Sequence, residues 1–306
     1  MKFICAGDLH IRLQAPVNRI DSFFDTQYKK IKWILEQAQK HKAVLLLPGD
    51  VFDSPKASHY LTSIYIELFK NFDVNITACM GQHDLRYHVS TDNTPFAVLN
   101  KAGVLGYVKE LPCIYPGDNI YIYGADWNKP IPKPADSKAF NILLIHKMII
   151  PNEKNKIWAG QTDYSLADSF LTKGYNLVVS GDNHQGFILG NKNNLLINCG
   201  SLMRSSSAQI NHNPFIVLFD TQTRKYEKIF VPIKSAKEVF DLKKIEQEKE
   251  KDENITAFVN GLTEHKETGL NFESNLFAYC KENKVDEDIT NIIQEALNGT
   301  NTQGID

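Results

Sequence analysis

Aspartate and histidine recur in this sequence at the ends of short apolar runs. Gly7-Asp8-Leu9-His10 follows the run 2–6, Gly49-Asp50-Val51-Phe52-Asp53 follows 43–47, and Gly81-Gln82-His83-Asp84 follows 74–80. Two later runs, 140–145 and 176–180, end in His146 and in Gly181-Asp182-Asn183-His184. Carboxylates and imidazoles suit divalent cations of intermediate hardness. In an extended Asp8-Leu9-His10 segment, alternation turns both ligand side chains to one side. The glycines permit tight turns that bring backbone close to an ion. Two ions about 3.5–4 Å apart activate a hydroxide and stabilise the attacking and leaving oxygens of a phosphoryl displacement. Each motif alone is weak, because Gly-Asp at a strand end is ordinarily a turn and a lone His146 is ordinarily packed or hydrogen-bonded. The force lies in five such motifs, in order, each at the end of an expected strand.

Those motifs need a scaffold that brings strand ends together. The first third alternates strand-like runs with helical periodicity: 25–41 places Ile31, Ile34, Leu35 and Ala38 on one face, and 57–69 does the same with Leu61, Ile64, Tyr65 and Leu68. Strand, helix, strand, helix, strand predicts parallel pairing with crossover helices. In such sheets sites form at the carboxyl ends of strands, so the five motifs converge on one edge. Residues 104–127 are rich in β-branched and aromatic residues and are broken by Pro112 and Pro116-Gly117-Asp118, which predicts antiparallel strands with turns. Runs at 140–145, 176–180, 195–199, 215–219 and 225–232 complete a second β series. The expected fold class is α/β: two sheets packed face to face, flanked by helices, with a small helical C-terminal appendage. Composition shifts near residue 234, which divides the chain into 1–233 and 234–306. Residues 241–254 are almost all charged, helices are expected at 256–262, 272–282 and 288–297, and 299–306 reads as a disordered tail.

The 306 residues, 42% hydrophobic and 23% charged, suffice for one large domain, or an ordinary one with an appendage. A formal net charge of −2 supplies no global field for nucleic acid, so DNA binding would need a local basic patch. The five cysteines are scattered and never form a CxxC pair, as expected of small buried hydrophobes in a reducing cytoplasm. The start of the chain turns polar too soon for a signal peptide, and no apolar run approaches the ~20 residues of a membrane span. A soluble, cytoplasmic protein is expected.

The ordered motif set resembles that of the calcineurin-like metallophosphoesterases, DxH, GDxxD, GNHD, a later His and GHxH, over roughly residues 1–232. By that resemblance the sheets form a metallophosphoesterase sandwich. Asp8, His10, Asp50 and His184 would bind a first metal, with Asp50 bridging to a second that Gln82, His146 and Asp182 complete. His83 would contact the scissile phosphate and protonate the leaving group, oriented by Asp84. The implied cofactors are two divalent ions, Mn2+ or Mg2+. Within the family the chain looks most like the SbcD branch, nucleases that partner an SbcC-like coiled-coil ATPase, act on DNA in recombination, repair or replication, and commonly dimerise. Gly7-Asp8-Leu9-His10, Gly49-Asp50-Val51-Phe52-Asp53 with Pro55, and Gly200-Ser201-Leu202-Met203-Arg204 carry that likeness. Compact versions occur in bacteriophages, where the compartment would be the host cytoplasm. Phe52-Asp53-Ser54 and His83-Asp84 do not match the protein phosphatases of the fold.

Gln82 stands where the family has Asn, and Asp182 where it has the first His of GHxH. The expectation is a second site that still binds a hard cation, more weakly and with oxygen-rich coordination. The alternative is that Asp182 only hydrogen-bonds a neighbouring ligand and the second site stays empty. Arg12, Arg86 and Arg204 closely follow ligand motifs, so they are expected to rim the site edge and contact phosphate. Tyr87 could stack on a base. Lys29, Lys30 and Lys32 read as a solvated helix face, Trp33 as core, and His59 and His88 as surface. The stripes formed by Phe272, Leu276, Phe277, Ile289, Ile292 and Ile293 must bury against the catalytic domain or a partner. A DNA nuclease therefore competes with a small-molecule phosphodiesterase or phosphatase of the same fold, and with a catalytically impaired scaffold subunit.

Overall fold

A computed structural model describes residues 1–87, 89, 92–109, 112–156, 158, 160–264 and 272–300. The chain runs β1 (Lys2–Cys5), α1 (Phe23–His41), β2 (Val44–Leu47), α2 (His59–Lys70), β3 (Ile76–Ala78), α3 (Pro95–Lys101) and β4 (Gly106–Tyr107). It continues with β5 (Cys113–Tyr115), β6 (Ile120–Ala125), β7 (Phe140–His146), β8 (Ile149–Ile150), β9 (Ser165–Leu166), α4 (Asp168–Leu171), β10 (Leu177–Gly181), β11 (Phe187–Gly190) and β12 (Leu195–Asn198). Then come β13 (Phe215–Asp220), β14 (Lys225–Phe230), α5 (Ala236–Val239), α6 (Leu242–Glu264), α7 (Phe272–Glu282) and α8 (Glu287–Thr300).

Two sheets form, ordered β14-β13-β1-β2-β3-β4 and β11-β12-β10-β7-β6-β5. β1, β2 and β3 are parallel, as the crossover pattern predicts; β4 joins them parallel, and β13 and β14, expected in the second β series, extend this first sheet antiparallel. In the second sheet β6, β7, β10 and β12 are parallel, with β5 and β11 antiparallel at the edges. The antiparallel reading of 104–127 therefore holds for β5 and β6 alone: β4 pairs parallel with β3, and β6 parallel with β7.

Continuous apolar runs reflect burial on both strand faces. Phe3 and Cys5 of β1, Val44 and Leu46 of β2, Ile142 and Leu144 of β7, and Leu177 and Val179 of β10 fill the space between the sheets. The alternate residues Ile4, Leu45 and Leu47 pack under α1 and α2, with Ile31, Ile34, Leu35, Leu61, Tyr65 and Leu68. Leu143, Ile145 and Val178 pack on the other side, with Phe170 of α4. This is a two-sheet α/β sandwich flanked by helices. Ser58 caps α2 by accepting from the Leu61 amide, an interaction worth roughly 1 kcal/mol. All five cysteines are free thiols, and four are buried.

Two compact units result, Met1–Phe240 and Asp241–Asp306, against an expected change near residue 234. In the second unit the charged stretch 241–254 and the expected helix 256–262 are one helix, α6. Its Leu, Lys, Glu and Gln residues are good helix formers, and pairs such as Lys249–Glu253 at 3.5 Å suit the helical repeat. Residues 299 and 300, expected to be disordered, end α8, and 301–306 lie outside the described residues, as do His88 and the Phe272 side chain. Leu276 and Cys280 are buried, whereas Ile292 is exposed. Among the described residues, no helix is long and apolar enough to cross a membrane.

Candidate metal centre

Topology brings the motifs together. β1, β2 and β3 lie side by side in one sheet, β7 and β10 in the other, and their carboxyl ends lead into the five Asp/His segments. The loops after β1 and β2 are laced by His10 N–H to Asp50 O (2.9 Å) and Ile11 N–H to Val51 O (2.9 Å). The sheets are joined across the site by His146 Nδ1 and Pro48 O at 2.8 Å. His10, Asp50 and Asp182 adopt positive φ values of 46°, 47° and 83°. That conformation costs a non-glycine residue roughly 1–3 kcal/mol, so strain is concentrated in the ligand loops. Two glycines are required by close approach: a Cβ on Gly81 would collide with the Asp50 carboxylate, and one on Gly181 would lie 2.5 Å from Asp8 Oδ1.

The polar atoms converge closely. Ligand atoms of Asp8, His10 and His184 lie within 4.8 Å of one another, as do those of His10, Asp50 and His83. His10 Nε2 is 3.1 Å from His184 Nε2 and 3.7 Å from Asp50 Oδ2. His146 Nε2 faces Asp50 Oδ2 at 3.2 Å, yet both atoms are buried without a hydrogen-bond partner. Asp182 N–H donates to Asp8 Oδ2 at 3.1 Å. Gln82 Nε2 donates to Asp182 Oδ1 at 3.0 Å, leaving Gln82 Oε1 buried and unpartnered.

The electrostatics follow from burying like charges together. Burial pushes the Asp8 carboxyl up to about 7, and the Asp50 charge adds to this; His146, His10 and the Asp182 amide oppose it. Burial pulls the His146 imidazole down, but Asp50, Asp8 and Asp182 together hold it up at about 10. His184 falls to about 4 through burial and the neighbouring His10. Two buried carboxylates share one pocket, with His146 Nε2 and Gln82 Oε1 left without hydrogen-bond partners. Protein alone satisfies such a cluster poorly, and divalent cations would fill the orphaned positions. The residues present fit metal ions.

The expected ligands Asp8, His10, Asp50, Gln82, His146, Asp182 and His184 thus meet at one place. Asp84 does not play its expected part. Its carboxylate accepts the amides of Val51 (3.2 Å), Phe52 (3.0 Å) and Gly81 (3.1 Å), pinning the β2 and β3 loops together. His83 is held instead through Nδ1 by Asp53 O at 2.9 Å. Arg12 lies at the site edge, its Nη1 3.1 Å from Asp53 Oδ2. Arg86 is half-buried with its guanidinium 5.5 Å from the Tyr87 ring centre, and Tyr87 is 77% exposed. Arg204, expected at the rim, turns inward, because its guanidinium donates to Ile210 O and Lys234 O.

Two residues went unmarked in the ligand assignment. Asp53 contacts His10 (3.4 Å) and Arg12 through its carboxylate, and His83 through its carbonyl. Its signal was its place in the Asp50 motif. Gln27 of α1 is fully buried and clamps the Asp8 loop, donating to Leu9 O and His10 O and accepting from Arg12 N. No local signal marked it.

A search of curated proteins found no match to the sequence. Among solved structures the chain is similar to an archaeal phosphodiesterase, at 13% identity, covering 76% of this chain and 100% of that one with a TM-score of 0.42. It is also similar to protein TT1561 of Thermus thermophilus, at 12% identity, covering 76% and 99% with a TM-score of 0.49. A 5′-nucleotidase precursor of the same organism matches at 10% identity over 85% of this chain and 59% of its own, with a TM-score of 0.44. Residues 1–186 match the calcineurin-like phosphoesterase family model, which places the chain in that family of metal-dependent phosphoester hydrolases.

Proposed function

We propose that the chain cleaves phosphodiester bonds of DNA as the SbcD-like nuclease subunit of a larger assembly. The observation that carries the hydrolytic reading is the set of buried, unpartnered ligand atoms on Asp50, Gln82 and His146 beside Asp8, His10 and His184. Asp8, His10, Asp50 and His184 would hold one divalent ion; Asp50, Gln82, His146 and Asp182 would hold the other. Bound there, two ions supply Lewis-acid polarisation of the phosphoryl oxygens and a water acidic enough to attack at neutral pH.

The protein's own residues do the rest. The carbonyl of Asp53 anchors Nδ1 of His83, which directs the ring toward His10 and Asp50, with the His10 and His83 ring centres 5.0 Å apart. Because the Asp53 carbonyl can only accept, Nδ1 carries a proton, and it is the imidazolium form of His83 whose Nε2–H would protonate the departing 3′ or 5′ oxygen, leaving a neutral ring. Arg12, braced by Asp53, places a guanidinium at the edge where a phosphate backbone would pass. Tyr87, exposed beside Arg86, presents a ring on which a base can stack. The DNA reading draws on these edge residues and on the motif likeness of Gly200-Ser201-Leu202-Met203-Arg204 to the SbcD branch. The 241–306 unit would dock a coiled-coil ATPase through apolar residues such as Ile255 and Ile292, which it leaves exposed.

A scaffold without catalytic power is the second reading, favoured by the 3.0 Å bond between Gln82 and Asp182, which ties two second-site ligands to each other. Manganese-loaded full-length protein assayed on single-stranded DNA, double-stranded DNA and bis-p-nitrophenyl phosphate separates the readings. Cleavage of DNA well above the small diester supports the nuclease. Cleavage of the small diester alone supports a small-molecule phosphodiesterase, and no cleavage of any substrate supports the scaffold.

A further inference from the structure

The helix α1 places Thr26, Lys29, Lys30 and Trp33 along one face at helical spacing, and that face is one wall of a cavity of about 330 Å³. Arg19, Arg204, Pro232, Ile233, Lys234 and Val239 complete its lining. Lys30, expected on a solvated face, is only 7% exposed, and Arg204 only 4%. Lys30 Nζ donates to Leu202 O at 3.0 Å, one of its three possible hydrogen bonds. Arg204 donates to Ile210 O and Lys234 O. The neighbouring carboxylate, Asp21, is taken by Arg19 in a two-pronged contact of 2.7 and 2.8 Å. Lys30 and Arg204 are therefore buried cations whose hydrogen bonds go to main-chain carbonyls, Arg204 also lying 5.7 Å from the Phe240 ring centre; Arg19, paired with Asp21, lines the cavity beside them, and Lys29 and Lys234 are exposed at the mouth. Buried charge without a counter-charge is costly. Consistent with that cost, burial and then the Arg204 and Arg19 charges bring the Lys30 ammonium down to about 7.

We propose that this cavity binds a phosphate monoester carried on a flat apolar body, the chemistry of a mononucleotide. A phosphate dianion matches the two buried cations in charge, and it accepts from both an ammonium and a guanidinium. Trp33, Pro232 and Ile233 offer an apolar wall for the attached body. The site is separate from the metal centre, and one residue joins them: Leu202 gives its carbonyl to Lys30 and its amide to Asp8 O at 3.1 Å. The inference stands whichever phosphodiester the metal centre cleaves.

Calorimetry of the full-length, manganese-loaded protein with 2′-deoxyadenosine 5′-monophosphate tests it, repeated after chelation with EDTA. Binding should persist in EDTA, because no metal ligand lines the cavity. Lys30→Met and Lys29→Glu should each weaken it roughly tenfold to hundredfold, the loss expected on removing a charge-assisted contact. Lys29 is exposed, so Lys29→Glu keeps the test valid should the buried variant fail to fold. Deoxyadenosine should bind far more weakly, and inorganic phosphate more weakly but still sensitive to Lys29→Glu. No binding by the wild type, binding lost in EDTA, equal binding of deoxyadenosine, or unchanged affinity in the folded variants would each overturn the proposal.

Discussion

Two buried regions of this molecule carry opposite charge, and Leu202 separates them by a single residue. At the metal centre Asp8 and Asp50 crowd together, with His146 Nε2 and Gln82 Oε1 lacking hydrogen-bond partners. In the α1 cavity Lys30 and Arg204 hydrogen-bond to main-chain carbonyls, Arg204 lies over the Phe240 ring, and the nearby Asp21 carboxylate is taken by Arg19. The fold satisfies the polar groups of each region only in part, and each would gain stability from a ligand of the opposite sign. They differ in construction. The metal centre is assembled from loops strained at His10, Asp50 and Asp182, whereas the cavity wall is a regular helix. Strain buys close ligand approach at the first; helical spacing alone builds the second.

Metal removal is the largest expected effect and acts on the first region alone. Chelation by EDTA should abolish hydrolysis, with manganese restoring it better than calcium, whose larger ion prefers six to eight oxygen ligands. Full activity in excess chelator would mean that hydrolysis does not depend on ions held by the Asp/His cluster. Next, His83→Ala should lower turnover by roughly 10²–10⁴-fold, as for a lost acid–base group, with metal content unchanged by atomic absorption. Loss of an ion in that variant would instead make His83 a ligand, a role its proximity to His10 and Asp50 leaves room for.

Asp53→Asn retains the carbonyl that holds His83 but weakens the contacts to His10 and Arg12. Metal affinity should fall roughly 10–100-fold, the usual cost of losing a residue that braces a ligand, measurable by manganese titration. Unaltered affinity would confine Asp53 to its main-chain role.

The smallest effect concerns stability in the second region. The folded-state value of Lys30, about 7, lies below its ordinary 10.5. Between those values the unfolded chain holds a proton that the folded chain lacks, so stability rises with pH across that window and is flat below it. The contribution to the slope approaches about 1.4 kcal/mol per pH unit. Lys30→Met should remove that rise and raise the denaturation midpoint at pH 7. Deoxyadenosine monophosphate should flatten the same slope in the wild type. A wild-type slope that survives Lys30→Met would mean that Lys30 is not the buried charge responsible.

The parallel strands β1–β3, the crossover helices and the meeting of five motifs are legible in the residue pattern alone. Continuous apolar runs require burial on both faces, and parallel strands send their ends to one edge, so Asp8, Asp50, Gln82, His146 and Asp182 could be assembled without coordinates. It also marked Gln82 and Asp182 as departures, though not that they bond to each other across 100 residues. Where individual side chains point depends on contacts between distant segments. Asp84 turned to three backbone amides because a buried carboxylate is best satisfied by several donors at once. Asp53 took over the positioning of His83, and Gln27 was drawn from α1 to clamp the loop carrying Asp8. Lys30 and Arg204 became a cavity wall rather than a solvated face and a site rim, while Trp33 packs against the core as expected and also lines the cavity, because their surroundings come from residues 201–204 and 232–234, nearly two hundred positions away from α1. Local patterning records which face of an element is apolar; which partner covers that face, and which polar atoms it meets there, depends on contacts between segments that the pattern does not encode.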